Sequence, residues 1–134
     1  MSPRIGTLML VDDSEIEQTI YARIIKRSGL VGALKQFVDA AKALEHVLDD
    51  EAPLPDLILL DINMPGLNGF DFLDAVQSKL GPQPSPAVAV LTSSLNPAHR
   101  QRAQQFPQVR EFLNKPLTSQ HLLDLGDRFG KPAG

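Results

Sequence analysis

The sequence predicts a single α/β domain built on a parallel sheet with helices on both faces. Two observations carry that expectation. Short apolar runs alternate with helical patterns along the whole chain, and the runs Leu57-Ile58-Leu59-Leu60 and Ala87-Val88-Ala89-Val90-Leu91 show no polar alternation. Strands covered on both faces read that way, and repeated strand–helix units with right-handed crossovers give a parallel sheet. At 134 residues the chain is long enough to bury one ordinary core.

Each element has its own signal. Thr7 to Val11 reads as the first strand. Ser14 and Glu17 have the spacing of a capping box, and Ile16, Ile20 and Ile24 then set one apolar helical face that ends near Gly29. Leu34 to Val38 reads as the second strand, and Asp39 caps a helix with Ala43, Leu44, Val47 and Leu48 inward. After the third strand, Leu57 to Leu60, the turn Met64-Pro65-Gly66 breaks the chain before a helix carrying Phe70, Leu73 and Val76. Gly81 to Pro86 is a proline-rich loop leading into the fourth strand. Asn96-Pro97 sets a cap residue before a proline at the first helical position, and the helix it opens has a thin apolar face of Ala98, Ala103 and Phe106. Val109 to Leu113 is the fifth strand, and Thr118 caps a last helix with Leu122, Leu125 and Phe129 inward. Residues 1–3 and 130–134 read as loose tails.

Composition narrows the function. Charged residues at 22% and hydrophobic ones at 43% are ordinary globular values. A net charge of −3, with no Lys/Arg block, gives no general attraction to nucleic acid or to an anionic membrane. The absence of cysteine excludes a disulfide framework and thiolate chemistry. With no apolar leader and no long apolar span, the expectation is a cytoplasmic protein.

Polar islands stand at the C-terminal ends of the strands: Asp12-Asp13, Asp61, Thr92 and Lys115-Pro116. Open parallel sheets bind ligands beyond those ends, where the strand order switches, so fold and motifs point to one place. Three carboxylates, a hydroxyl and an ammonium gathered there can bind a divalent cation and let one carboxylate take a phosphoryl group. Taken singly the signals are bland. Adjacent aspartates more often solvate a strand end or cap a helix. His46, His99 and His121 read as solvated, Asp49-Asp50-Glu51 as an exposed run, and the proline loop from 82 to 86 as a polyproline mimic at most.

Together the islands carry a resemblance. Val11-Asp12-Asp13, Leu60-Asp61-Ile62-Asn63-Met64-Pro65, Gly69, Leu91-Thr92-Ser93-Ser94 and Asn114-Lys115-Pro116 are similar, in order and spacing, to the bacterial two-component response-regulator receiver domain, chemotaxis-regulator-like. The resemblance covers essentially the full chain. It implies a flavodoxin-like (βα)5 fold with strand order 2-1-3-4-5. It also implies one stand-alone receiver domain over residues 1–134, with a core about 5–129 and no effector domain.

The resemblance implies site roles as well. Asp61 would be the phosphoacceptor, and Asp12, Asp13, Asp61 and the backbone carbonyl of Asn63 would hold Mg2+ or Mn2+. Lys115 would pair with Asp61 and then with the phosphoryl oxygens, aimed by a cis Lys115–Pro116 peptide. Thr92 would sense the phosphoryl group and Phe112 would turn inward into the space Thr92 vacates; the alternative is that Phe112 is an ordinary core residue. Ser93 stands where the family often has glycine or alanine, which narrows access to the phosphoryl group, and Asn63 and Ser94 occupy the positions that tune dephosphorylation.

The implied partners are a histidine kinase or histidine phosphotransfer protein and a downstream protein target, with no nucleic acid and no membrane. A homodimer would pair through the face of the fourth helix, fifth strand and fifth helix. The chain would be no multiple-turnover enzyme. Alternatives are a relay shuttle or phosphate sink without conformational output, a receiver that only binds protein, and a haloacid-dehalogenase-like phosphohydrolase. The last wants an acid two residues after its nucleophile, where this chain has Asn63.

Overall fold

Strand residues of alternating parity feed two separate cores. In the computed structural model, which describes residues 4–83 and 85–130, Met9, Val11, Ile58, Leu60, Val88 and Val90 face one side of the sheet. Leu8, Leu10, Leu57, Leu59, Ala89 and Leu91 face the other. Successive strand residues point to opposite faces, so a run with no polar member buries both. The sheet consists of β1 (Ile5–Val11), β2 (Val31–Phe37), β3 (Leu57–Leu60), β4 (Ala87–Thr92) and β5 (Val109–Asn114), interleaved with α1 (Glu15–Ser28), α2 (Ala40–Leu48), α3 (Gly69–Leu80), α4 (Pro97–Gln104) and α5 (Ser119–Phe129).

All strands are parallel and ordered β2-β1-β3-β4-β5, the flavodoxin-like arrangement expected. The first core takes Ala40, Ala43 and Val47 from α2, Phe72, Leu73 and Val76 from α3 and Ala103 from α4. The second takes Tyr21 and Ile25 from α1 and Leu122 and Leu125 from α5. The chain passes from β1 outward to β2 and then from β2 back across to β3 on the other side of β1, which puts the switch in strand order at the carboxyl ends of β1 and β3. Val11 pairs with Leu60 in register, so Asp12 and Asp61 leave the sheet level with each other.

Several expectations need correction. Ile16 and Ile20 are 74% and 49% exposed, and α1 instead buries Gln18, Tyr21, Ala22 and Ile25. The four-residue spacing of isoleucines fixed the wrong phase because the true inward face carries polar groups. β2 begins at Val31, ahead of Leu34, and Val38 lies beyond its end and is exposed. As an edge strand, β2 has no continuous apolar run to mark its start. Ala98 is exposed, and Phe106 is buried but follows α4. The tails at residues 1–3 and 131–134 lie outside the described residues, as does Pro84 of the proline loop; Gly130 is the C-cap of α5. No helix among the described residues is long and apolar enough to cross a membrane.

Candidate functional site

The backbone ladders run one step past the strand ends and fix the polar residues there. The Asp12 N–H donates to the Phe37 carbonyl at 3.1 Å, that of Asp61 to Val11 at 3.0 Å, and that of Lys115 to Thr92 at 2.9 Å. Each functional side chain therefore leaves a rigid strand. The Lys115–Pro116 peptide is cis.

Beneath Asp12 lies a buried amide that apolar periodicity could not reveal. The Gln18 side chain is 5% exposed, and its amide nitrogen donates to the carbonyls of Phe37 at 2.8 Å, Asp12 at 3.0 Å and Leu10 at 3.2 Å. Gln36 of β2 donates to the Gln18 backbone carbonyl and side-chain oxygen, both at 2.9 Å. These contacts join the C-terminal ends of β1 and β2 to α1 and pair both polar atoms of the Gln18 side chain.

Gly69 sets the height of the loop after β3. A Cβ on Gly69 would sit 2.6 Å from the Ile62 Cα and 2.8 Å from the Asp61 carbonyl oxygen. Only glycine lets α3 approach this segment so closely. Asn68 and Asp71 close a capping box at that helix start, and the Asn63 N–H donates to Asp61 Oδ1 at 3.0 Å.

At the centre, Asp12, Asp13 and Asp61 each offer a carboxylate oxygen, all within 4.8 Å of one another. Asp12 and Asp61 are buried and Asp13 is exposed, so the cluster opens to solvent on the Asp13 side. A cleft of about 280 Å³, lined by Asp13, Asp39, Ala40, Met64 and Leu67 among others, lies beside it. Lys115 Nζ lies 2.8 Å from Asp12 Oδ2, 3.2 Å from Asp61 Oδ2 and 2.6 Å from Glu17 Oε2. Glu17 is thus a member of the cluster that the capping-box reading had placed elsewhere. Ser14 does accept from the Glu17 N–H, at 3.2 Å, but the Ser14 N–H is taken by Asp12 Oδ1 at 2.9 Å.

Burial raises the pKa of Asp61, opposed by the Asn63 N–H and by Lys115. Burial likewise raises that of Glu17, and Asp12 adds to the shift while Lys115 opposes it. For Lys115 burial works against the charge, yet hydrogen bonds to Asp12 and Glu17 and the field of Asp61 hold the ammonium well above the usual lysine range. The donor set is all oxygen, which suits a hard divalent cation. Such an ion would relieve the repulsion among carboxylates that one ammonium cannot fully balance.

On the other flank, Thr92 Oγ1 accepts from the Ser94 N–H at 3.1 Å and from the Asn63 side-chain amide at 3.4 Å. Ser94 Oγ lies 2.6 Å from His99 Nδ1, and the His99 ring meets Phe70 edge-on at 5.9 Å. None of the three histidines is merely solvated. His46 lies 3.2 Å from Lys35 Nζ, and His121 accepts from the Thr118 N–H at 3.1 Å in a second capping box. Phe112 is half-buried against the first core, with the Arg100 guanidinium 5.8 Å from its ring centre.

A family model described as the response regulator receiver domain matches residues 8–126, from β1 into α5. The chain belongs to that family. This receiver domain is 28% identical over 135 residues to the sensor histidine kinase CheAY of Helicobacter pylori, an alignment that covers 99% of the chain and only 16% of that protein. Among solved structures it resembles a two-component response regulator from Cytophaga hutchinsonii, with a TM-score of 0.84 at 28% identity over 94% of this chain and 97% of that one. A receiver protein from Dyadobacter fermentans superposes with a TM-score of 0.79 at 26% identity, covering 92% and 97% of the two chains.

Proposed function

We propose that this receiver accepts a phosphoryl group on Asp61 from a histidine kinase or histidine phosphotransfer protein and signals through contact with another protein. One observation carries the reading: Lys115 Nζ touches both Asp12 and Asp61 while Asp13 closes an all-oxygen cluster beside them. In the transfer, an Asp61 carboxylate oxygen attacks the phosphorus of a phosphohistidine. The O–P bond forms as the N–P bond breaks, and the electron pair returns to the imidazole. Hydrolysis then brings a water oxygen to the phosphorus, and inorganic phosphate leaves as the Asp61 carboxylate is restored.

Asp12, Asp13, Asp61 and the Asn63 carbonyl would hold Mg2+ or Mn2+, which supplies the concentrated positive charge that phosphoryl transfer between anions needs. Lys115 orients Asp61 before transfer and then donates to a phosphoryl oxygen. The Thr92 hydroxyl donates to another, giving up the Ser94 and Asn63 donors it now accepts from. Output runs through the face of α4, β5 and α5, where Phe112 turns inward as Thr92 shifts. Phe112 carries no hydroxyl, so its inward position needs no polar partner.

Mass spectrometry after treatment with acetyl phosphate and Mg2+ tests the assignment. The native chain is expected to gain one labile phosphoryl group and Asp61→Ala none. Equal labelling of both, or of neither, rejects it.

A further inference from the structure

The geometry points to Glu17 as a positioning residue that draws Lys115 toward α1 and so restrains phosphoryl acceptance at Asp61, an inference that rests on the receiver reading above. A lysine ammonium has three N–H donors and no acceptor. Here all three are committed, to Glu17 at 2.6 Å, to Asp12 at 2.8 Å and to Asp61 at 3.2 Å. The ammonium therefore sits closer to the helix acid than to the carboxylate that would be phosphorylated.

Local structure explains why Glu17 is available. A glutamate three residues past a serine cap ordinarily turns back to the cap N–H. In this chain Asp12 Oδ1 already accepts from the Ser14 N–H at 2.9 Å, so the Glu17 carboxylate has no cap donor to serve. Its backbone N–H stays on Ser14 Oγ, and its side chain, 33% exposed, reaches across to Lys115, itself 11% exposed. The contact joins the first turn of α1 to the end of β5 at the rim of the acidic cluster.

Two consequences follow for the transfer from acetyl phosphate. The Asp61 O–P bond forms while the donor O–P bond breaks, and acetate leaves with the electron pair. A donor on Lys115 has to meet the incoming phosphoryl oxygens, and Glu17 competes for it. Glu17 also adds a fourth negative charge beside an anionic donor. Removing the carboxylate while keeping its shape frees one N–H of Lys115 and lowers the local repulsion.

The test compares native chain, Glu17→Gln and Glu15→Gln. Glu15 is exposed in the same first turn, so its variant removes equal charge from the same helix end. Labelling by acetyl phosphate with Mg2+ is followed at low and high salt. Alongside, the 15Nζ resonance of Lys115 is recorded in metal-free protein. Glu17→Gln is expected to label roughly three-fold faster, the size of an ion pair at the rim of the cluster, with the gain shrinking in salt. It is also expected to move the Lys115 resonance, whereas Glu15→Gln changes neither.

If the native chain labels normally and Glu17→Gln labels at the same rate, or if Glu15→Gln gives an equal gain, this inference alone is overturned. A native chain that takes no phosphoryl group overturns the receiver reading and this inference together.

Discussion

The Gln18 side-chain amide donates to the backbone carbonyl of Asp12 at 3.0 Å, a buried contact made from α1 to the residue just past β1. The same nitrogen reaches the Leu10 and Phe37 carbonyls, so one side chain satisfies the corner on which the acidic pair stands. Gln18→Leu keeps the volume and removes the donor. Removing these buried hydrogen bonds, together with the one Gln36 makes to the Gln18 side-chain oxygen, costs about 1–3 kcal/mol, to be read from chemical denaturation. Mg2+ affinity is expected to fall as well, because the Asp12-Asp13 backbone loses its tether.

Asp61 has its pKa raised by burial. The folded metal-free chain therefore binds that proton more tightly than the unfolded chain does. The sign follows directly: stability is lost as pH rises from the unfolded carboxylate value through the folded one, and the penalty is complete above the folded value. Asp61→Asn is expected to melt higher than native protein in EDTA at pH 7, and the gain is expected to disappear as the buffer is taken down through the carboxylate range. A variant that melts lower at pH 7 would contradict the assigned balance between burial and Lys115.

Metal addition gives an independent check. Ligand bound only by the folded state adds about 2.7 kcal/mol when its free concentration is about 100 times the dissociation constant. Native protein is expected to gain melting temperature with Mg2+ in proportion to the logarithm of its concentration. Asp13→Asn is expected to lose most of that gain while folding normally, since Asp13 is exposed.

Gly69→Ala drives a methyl into the Ile62 Cα and the Asp61 carbonyl, both backbone atoms that cannot rotate away. Overpacking of this kind costs about 1–3 kcal/mol. Urea midpoints would register the loss. Because the obstacle touches the segment bearing Asp61, phosphoryl labelling is expected to slow beyond what the stability loss explains.

The central strands could be read from the chain because β3 and β4 are covered on both faces and therefore lack polar positions before Thr92 at the end of β4. The islands that follow them were legible for the same reason, as abrupt charges at the ends of apolar runs. What periodicity could not reach was polar burial. Gln18 and Tyr21 hold the inward face of α1, and a count of isoleucines points to the opposite phase. Glu17 was visible as a cap residue, yet its fate depended on Asp12 taking the Ser14 N–H, a contact that spacing does not encode. His99 was missed likewise, since nothing local shows that Ser94 comes within reach of its ring. The edge strand β2 stayed vague at its start because it shows no fully buried residue, whereas the other edge strand, β5, does begin at Val109 as read.

Helix α4 buries Ala103 and no other residue of its own, and side-chain contacts such as Ser94 with His99 and Arg102 over the Phe70 ring at 4.2 Å hold it in place. A segment with so little apolar cover opens locally at small cost in free energy. In deuterated water its amides are therefore due to exchange ahead of those of α2, α3 and α5. The element beside Thr92 is then the one whose ordering a phosphoryl group could alter most cheaply.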